Sequence, residues 1–185
     1  ALFFRLQDDS ASACAQLSAC LTLAEQWAGV SQEPAAVPCM EESVLSFLRS
    51  CEVLTSDWKQ MLEQAANAPE PENLLAYTPA LDQEIRLFTM DMLYRYYLRA
   101  AYAETPEAEI LPLQMAAFSV CVVLLYSRRL GFHTAEQRLR IWQLFVKEIE
   151  YDENNLEELE WQLETNAAFS PAAFRAYFAS PGGVQ

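Results

Sequence analysis

The chain has 185 residues, of which 52% are hydrophobic, and it carries a formal net charge of −14. This size and composition are typical of one folded domain with a buried core, and the acidic charge argues against nucleic acids and anionic membranes as partners. With four glycines, the chain cannot build the glycine-rich loops that bind nucleotide phosphates, so a Rossmann-type nucleotide domain is excluded.

Hydrophobic residues recur at three- and four-residue steps along nearly the whole chain, which predicts helices and no strands. In the first helical pattern the apolar face begins at Cys14 and the expected N-terminal cap is Ser10. A second helix is predicted over about residues 41–51. A third helix follows, for which Thr55 or Ser56 is the expected cap.

The two longest predicted helices occupy the middle of the chain. Pro79 suits the first position of a helix, and the helical pattern continues from there to about Tyr102. The next helix, about residues 107–130, is apolar nearly all round, which predicts a central, buried element. Gly131 is the expected left-handed residue that ends it.

The last part of the chain also has a helical pattern. Thr134 and Gln137 form a predicted capping box, and the helix that follows presents an apolar face formed by Leu139, Trp142, Val146 and Ile149. An acidic joint and two further helices come next, the last of them opening at Pro171. We therefore predict an all-α fold, an irregular bundle of about seven or eight helices that forms one domain over residues 1–185.

The residues that usually bind metals are sparse and poorly spaced. The five cysteines contain no C-x-x-C pair, so neither a structural zinc site nor a redox dithiol is expected. The single histidine, His133, excludes both a ferritin-like di-iron bundle and a His-Glu-x-x-His zinc site. We predict no metal site in this chain. A nucleophile paired with His133 stays open, although a residue in this position is more often part of a turn or cap.

The acidic joint, residues 148–159 (EIEYDENNLEEL), invites comparison with a calcium-binding loop. Such a loop needs an oxygen ligand at position 5, glycine at 6 and glutamate at 12. Counted from Asp152, these positions hold leucine, glutamate and leucine, so the comparison fails. Asn154 and Glu157 instead suggest a capping box, and the joint is predicted to be a turn between two helices.

A tyrosine-rich stretch on the long middle helix allows two interpretations. Arg95 and Arg99 share one helix face, and Tyr96 and Tyr102 lie on neighbouring faces. One interpretation is a binding pocket in which guanidinium groups stack on phenol rings. The other, which we favour, is an amphipathic helix whose tyrosines bury their rings and leave their hydroxyls in water.

Three segments of the chain carry a family resemblance. Residues 144–159 (LFVKEIEYDENNLEEL) resemble a pattern in which a helix runs into EIEYS-x-ENLE-x-L, with departures at Asp152 and Asn154. Residues 92–98 (MLYRYYL) are similar to an FLYRHF-like helix, and residues 51–58 (CEVLTSDW) are similar to an LE-x-LD-x-x-W segment. Patterns of this kind, in this order and at this spacing, are found in the flagellin lysine-N-methylase family.

The resemblance implies a bacterial enzyme of the cytoplasm that methylates lysine side chains of flagellin with S-adenosylmethionine as methyl donor. The start of the chain has no signal-peptide pattern, in agreement with that location. Family members also carry an upstream cysteine-rich region with an iron–sulfur cluster, whose close spacing the cysteines here do not reproduce. We therefore expect the chain to be the C-terminal part of a longer protein and to be inactive alone.

Under this interpretation the chain supplies scaffold or substrate contacts to the methylase. Glu148, Glu150 and Tyr151 are the candidates for orienting a lysine, with Tyr94 and Arg95 as further substrate-binding candidates. The acidic surface attracts a lysine-bearing protein, and the missing N-terminal region is the other expected partner. The alternative is a non-catalytic helical module that binds a partner protein or has only a structural role.

Overall fold

The computed structural model describes residues 11–30, 39–69, 75–102, 108 and 110–179, and only the backbone of residues 98–101. Over these ranges the chain forms eight α-helices and no strand, which confirms the predicted all-α bundle. The helices are α1 (Ala13–Ala28), α2 (Met40–Ser50), α3 (Ser56–Asn67), α4 (Pro79–Ala101), α5 (Ile110–Leu130), α6 (Ala135–Phe145), α7 (Glu153–Thr165) and α8 (Pro171–Ala179). A π-helical segment, Val146–Glu150, continues α6, and a 3-10 turn, Ala167–Phe169, precedes α8.

Helix α5 is the centre of the bundle, as predicted, and it contacts each of the other seven α-helices. Every residue from 112 to 127 is buried. The described helix begins at Ile110, and the predicted start at 107 lies outside the described residues. The helix is long and apolar enough to cross a membrane, but most of it is covered by its neighbours. The central helix of a water-soluble bundle has the same properties.

Aromatic contacts fix several elements around α5. Phe118 meets the ring edges of Phe47 from α2 and Phe169 from the 3-10 turn, at centroid distances of 5.4 and 5.2 Å. Trp58 of α3 stacks on Tyr126, with centroids 5.4 Å apart. Such pairs add about 0.5–1.5 kcal/mol beyond the area that they bury. The stacking of Trp58 on Tyr126 holds α3 against α5, with the N-terminus of α3 next to the π-helical segment.

Several predicted helix ends are confirmed. Thr134 and Gln137 form both hydrogen bonds of a capping box at the start of α6. Thr55, one of the two predicted caps of α3, accepts a hydrogen bond from the backbone N–H of Trp58. Gly131 has a φ of 65°, the left-handed conformation expected after α5.

The predicted cap of the first helix is wrong. Helix α1 is capped by Ser12, whose hydroxyl accepts from the Ala15 N–H at 3.2 Å, and Ser10 lies outside the described residues. The Asp82 carboxylate of α4 also accepts from the first helical N–H, that of Ala13, at 2.6 Å. A tertiary contact of this kind sets the start of a helix and leaves no mark in the local sequence pattern.

The predicted capping box at Asn154 is also wrong. Helix α7 is capped by Asp152, whose side chain accepts from the Asn155 N–H at 2.9 Å, and Asn154 is an exposed residue in the first turn. The preceding helix continues as the π-helical segment to Glu150, in agreement with its predicted apolar face through Ile149, so only Tyr151 and the cap residue Asp152 separate the two helices. The joint between the two helices is therefore very short.

Candidate functional site

The predicted site residues lie on α4 and on the π-helical segment that continues α6, and these two helices run side by side. Arg138 of α6 donates two hydrogen bonds to the Glu84 carboxylate of α4, at 2.6 and 2.9 Å, and these residues are 54 positions apart. One turn further along both helices, Trp142 stacks on Phe88 with centroids 4.5 Å apart. Because partners advance in the same direction on both helices, α4 and α6 are parallel.

The π-helical segment changes the register between these helices. A π-helix closes i→i+5 hydrogen bonds and so accommodates one more residue per turn than an α-helix. At the end of this segment, Arg95 of α4 pairs with Glu150. The two residues are 55 positions apart in the chain, compared with 54 for the pairs before the segment. The inserted residue brings Glu150, and not the fully buried Ile149, opposite Arg95. Segments of this kind occur often at functional sites.

Arg95 is shared between two carboxylates. Its Nη1 lies 3.0 Å from Glu150 Oε2 and its Nη2 lies 3.0 Å from Asp91 Oδ2. The guanidinium side chain is 36% exposed, whereas the Glu150 side chain is 6% exposed. Burial alone would lower the pKa of Arg95, but the two neighbouring carboxylates outweigh burial and raise it.

Glu150 is the more buried member of this ion pair. Its Oε1 atom is buried, and the carboxylate has the Tyr96 phenol as a second hydrogen-bonding neighbour. Burial raises the pKa of Glu150, although the charge of Arg95 and the nearby Tyr96 phenol both act to lower it. The ionised carboxylate is therefore less stable than in water, and a further N–H donor would stabilise it.

Two exposed tyrosines flank this ion pair. Tyr94 precedes Arg95 on α4 and is 75% exposed, and Tyr151 follows Glu150 and is 76% exposed. The ring of Tyr94 is exposed, in contrast to the interpretation favoured from the sequence for the long middle helix, whereas the ring of Tyr96 is buried. We call Tyr94, Arg95, Glu150 and Tyr151 the outer edge. Of the five predicted site residues, Arg95 and Glu150 are thus in contact, and Tyr94 and Tyr151 are their neighbours in the chain.

Glu148, the fifth predicted site residue, lies elsewhere. Its side chain is fully buried between the π-helical segment and the start of α3. Oε2 accepts from the Leu54 N–H at 2.7 Å, and Oε1 accepts from the Thr55 hydroxyl. Because Thr55 caps α3, Glu148 fixes the position of that helix. In this structure it presents no surface to a substrate.

Asn155 completes this internal contact, which no pattern in the sequence indicated. Its Oδ1 accepts from the Glu52 N–H, and its Nδ2 donates to the carbonyls of Glu52 and Glu148, each at 2.8 Å. We call Glu148 and Asn155, together with the segment 52–55 that they hold, the buried clasp. The partner Glu52 is 103 residues away, so no local pattern predicts the contact.

The remaining candidates do not form a second site within the described residues. His133 is exposed in the turn before α6, where its backbone N–H bonds the Gln137 side chain at 3.0 Å. All five cysteines are free, and Cys14, Cys20 and Cys121 are buried. Over the described ranges no three potential ligands meet as a metal or cluster site, so these thiols do not fit an iron–sulfur cluster. The side chain of Arg99 lies outside the described residues.

Comparisons with known proteins add no further assignment. A scan against protein-family models, a search of curated proteins and a search of solved structures each found no match to this chain. The family resemblance therefore remains a prediction carried by the three segments described above.

Proposed function

We propose that this chain is a helical region of a lysine-methylating protein similar to the flagellin lysine-N-methylases, and that its outer edge binds a lysine of the partner protein. The observation that carries the proposal is the pairing of Arg95 with Glu150, 55 residues apart, between two exposed tyrosines. A carboxylate beside phenol rings suits an ammonium group, which binds both by charge and over aromatic faces.

The contacts between the three resembling segments support this assignment. Residues 51–58 meet residues 144–159 in the buried clasp, through Leu54, Thr55 and Glu148. Residues 92–98 meet the same segment through the ion pair at the outer edge. The stretches that carry the resemblance are thus neighbours in the fold, as expected if they belong to one functional unit.

Arg95 offers a way for a lysine to enter. Because Arg95 is already shared with Asp91, it can stay paired with that carboxylate while an incoming ammonium takes its place at Glu150. The ammonium then donates to the Glu150 oxygen that Arg95 releases. The net charge of −14 attracts a basic segment toward the edge.

The outer edge is suited to binding and orientation. Methyl transfer requires a neutral amine, and a carboxylate stabilises the charged form of a lysine. Glu150 would therefore hold and position the substrate. S-adenosylmethionine supplies the methyl group in the proposed full-length bacterial protein, and this chain contributes orientation of the lysine relative to it.

A binding experiment tests the proposal. Flagellin should bind the chain, and acetylated flagellin, whose lysines carry no charge, should bind at least about tenfold more weakly. Glu150→Gln should reproduce this loss with unmodified flagellin, whereas Glu153→Gln, at an exposed residue nearby, should not. Equal binding of both flagellins, or of both variants, would contradict the proposal.

A second candidate is a non-catalytic module that uses the same edge to bind a lysine-bearing protein. It is favoured by the composition of the outer edge, which offers a charge and two rings and, within the described residues, no nucleophile paired with a base. Methyl transfer by the full-length gene product, after anoxic iron reconstitution, separates the two candidates. Binding without methylation supports the module, and methylation that falls with Glu150→Gln supports the methylase.

A further inference from the structure

The position of Glu150 at the outer edge depends on one extra residue in the π-helical segment. The pair between Glu84 and Arg138, before the segment, spans 54 positions, and the pair at its end spans 55. If the spacing of 54 continued, Ile149 would lie opposite Arg95. Because π-helices are rare in proteins, contacts from other parts of the fold are needed to keep the extra residue in place.

Asn155 makes such a contact with the backbone of the segment. Its Nδ2 donates to the Glu148 carbonyl at 2.8 Å in a buried hydrogen bond. Carbonyls in the last turn of a helix lack donors within the helix, so a side-chain donor stabilises the conformation that presents them. Glu52 fixes both ends of the same amide, because its N–H donates to Oδ1 and its carbonyl accepts from Nδ2, each at 2.8 Å. The amide therefore cannot turn to follow a shifted carbonyl.

The side chain of Glu148 also anchors the segment, but less strictly. Its carboxylate lies at the end of a flexible side chain, so it can reach Leu54 and Thr55 from slightly different backbone positions. The bond from Asn155, in contrast, fixes the backbone itself. Asn155 lies in the first turn of α7, where its own N–H bonds the cap residue Asp152 at 2.9 Å. The end of the segment is thus tied to the start of the next helix.

We infer that Asn155 is a positioning residue for the outer edge: its bond to the Glu148 carbonyl holds the π-helical register and so keeps Glu150 opposite Arg95. That Glu150 binds a lysine there rests on the function proposed above. In an α-helical register the end of the segment would turn by about 100°, and Ile149 would replace the carboxylate beside Arg95. Asn155 is 3% exposed, so it acts through Glu150 and not on the ligand.

The affinity of flagellin for Asn155→Ala tests this role. The variant removes the donor to the Glu148 carbonyl without adding a charge. Where circular dichroism shows that it is folded, we expect binding at least about tenfold weaker, as for Glu150→Gln. Asn155→Asp, which keeps an acceptor for the Glu52 N–H, is measured as a second variant and should show the same loss. The control Asn154→Ala, at an exposed residue of the same turn, should bind as the wild type does.

Deletion of Lys147, the most exposed residue of the segment, separates register from a general loss of stability. With one residue fewer, the segment can form an α-helix while Glu150 stays opposite Arg95. The deletion variant should fold and bind flagellin within about twofold of the wild type, and adding Asn155→Ala should then change the affinity by less than about twofold. Loss of folding or binding on deletion, or the same loss from Asn155→Ala in both backgrounds, would overturn the inference.

Titration of the Glu150 carboxyl by NMR makes the test independent of flagellin. In the wild type, burial raises its pKa, with Arg95, Asp91 and Tyr96 facing it from α4. In Asn155→Ala the carboxyl should turn toward water and its pKa should fall to about the usual 4.5, and deletion of Lys147 should restore the raised pKa. These changes without flagellin binding to the wild type would contradict only the proposed function. Flagellin binding that depends on Glu150, with an unchanged pKa and affinity in Asn155→Ala, would overturn only this inference.

Discussion

Glu148 and Glu150 lie two residues apart on the same π-helical segment, yet their surroundings differ completely. Glu148 is fully buried, and both of its carboxylate oxygens accept hydrogen bonds from the start of α3. Glu150 pairs through one oxygen with the half-exposed Arg95, which also pairs with Asp91. The first carboxylate is held entirely by the fold, and the second pairs with a cation near the surface that a ligand can replace.

The difference shows that the density of acidic residues is a poor guide to function. Within a few residues, Glu148 holds a helix, Asp152 caps one, Glu150 forms an ion pair and Glu153 is exposed. The functional distinction lies in whether the partners of each carboxylate are buried in the fold or close to the surface. The contrast between the buried clasp and the outer edge gives three predictions, in order of decreasing effect.

The largest effect is expected at Asn155 in the buried clasp. Asn155→Asp removes the two N–H donors to the carbonyls of Glu52 and Glu148 and places a carboxylate against them. We expect the free energy of unfolding to fall by about 3 kcal/mol, measured by urea denaturation. The neighbouring Asn154→Asp, at an exposed position, should change it by less than about 0.5 kcal/mol. Similar losses in the two variants would mean that the clasp is not what holds segment 52–55.

The second prediction compares how glutamate-to-glutamine substitutions at Glu148 and Glu150 change the free energy of unfolding. Glu148→Gln leaves one acceptor oxygen for two buried donors, the Leu54 N–H and the Thr55 hydroxyl, so we expect a loss of about 2 kcal/mol. Glu150→Gln keeps an acceptor for Arg95 and removes a charge that burial destabilises, so we expect a change within about 0.5 kcal/mol. Equal losses of unfolding free energy in the two variants would show that the two glutamates contribute to stability in the same way.

The smallest effect is a pH dependence at Glu150. Because burial raises its pKa above the usual 4.5, the folded state binds more protons than the unfolded state as this group titrates. The free energy of unfolding should therefore fall as pH rises from 4.5 through the folded-state pKa. Glu150→Gln lacks this contribution, so the wild type should lose stability relative to the variant over that range. A relative gain in urea titrations would show that the pKa is lowered instead.

The fold could be predicted from the sequence because its helices follow apolar periodicity and local capping. The all-helical class, the buried α5, the capping box at Thr134 and the stop at Gly131 all depend on residues close together in the chain. The predicted apolar face of α6 was correct at Trp142, Val146 and Ile149 but wrong at Leu139, which is 46% exposed. Periodicity does not show which neighbours cover a helix, and here the side of α6 that carries Leu139 is exposed.

The site was less predictable, because its distinctions depend on contacts between distant residues. Nothing near Glu148 indicates that its donors are 93 and 94 residues away, and glutamate is rarely fully buried. The π-helical segment, which brings Glu150 opposite Arg95, has no recognised local signature. The sequence did place Tyr94, Arg95, Glu150 and Tyr151 among the candidates, but it did not separate them from Glu148.

The most direct test of the account is the affinity of flagellin for the Glu150→Gln and Glu148→Gln variants, measured by calorimetry under conditions in which both remain folded. The account predicts at least about tenfold weaker binding for Glu150→Gln and wild-type binding for Glu148→Gln, whose carboxylate is internal. Unchanged binding for Glu150→Gln, or a loss for Glu148→Gln of the same size, would contradict it.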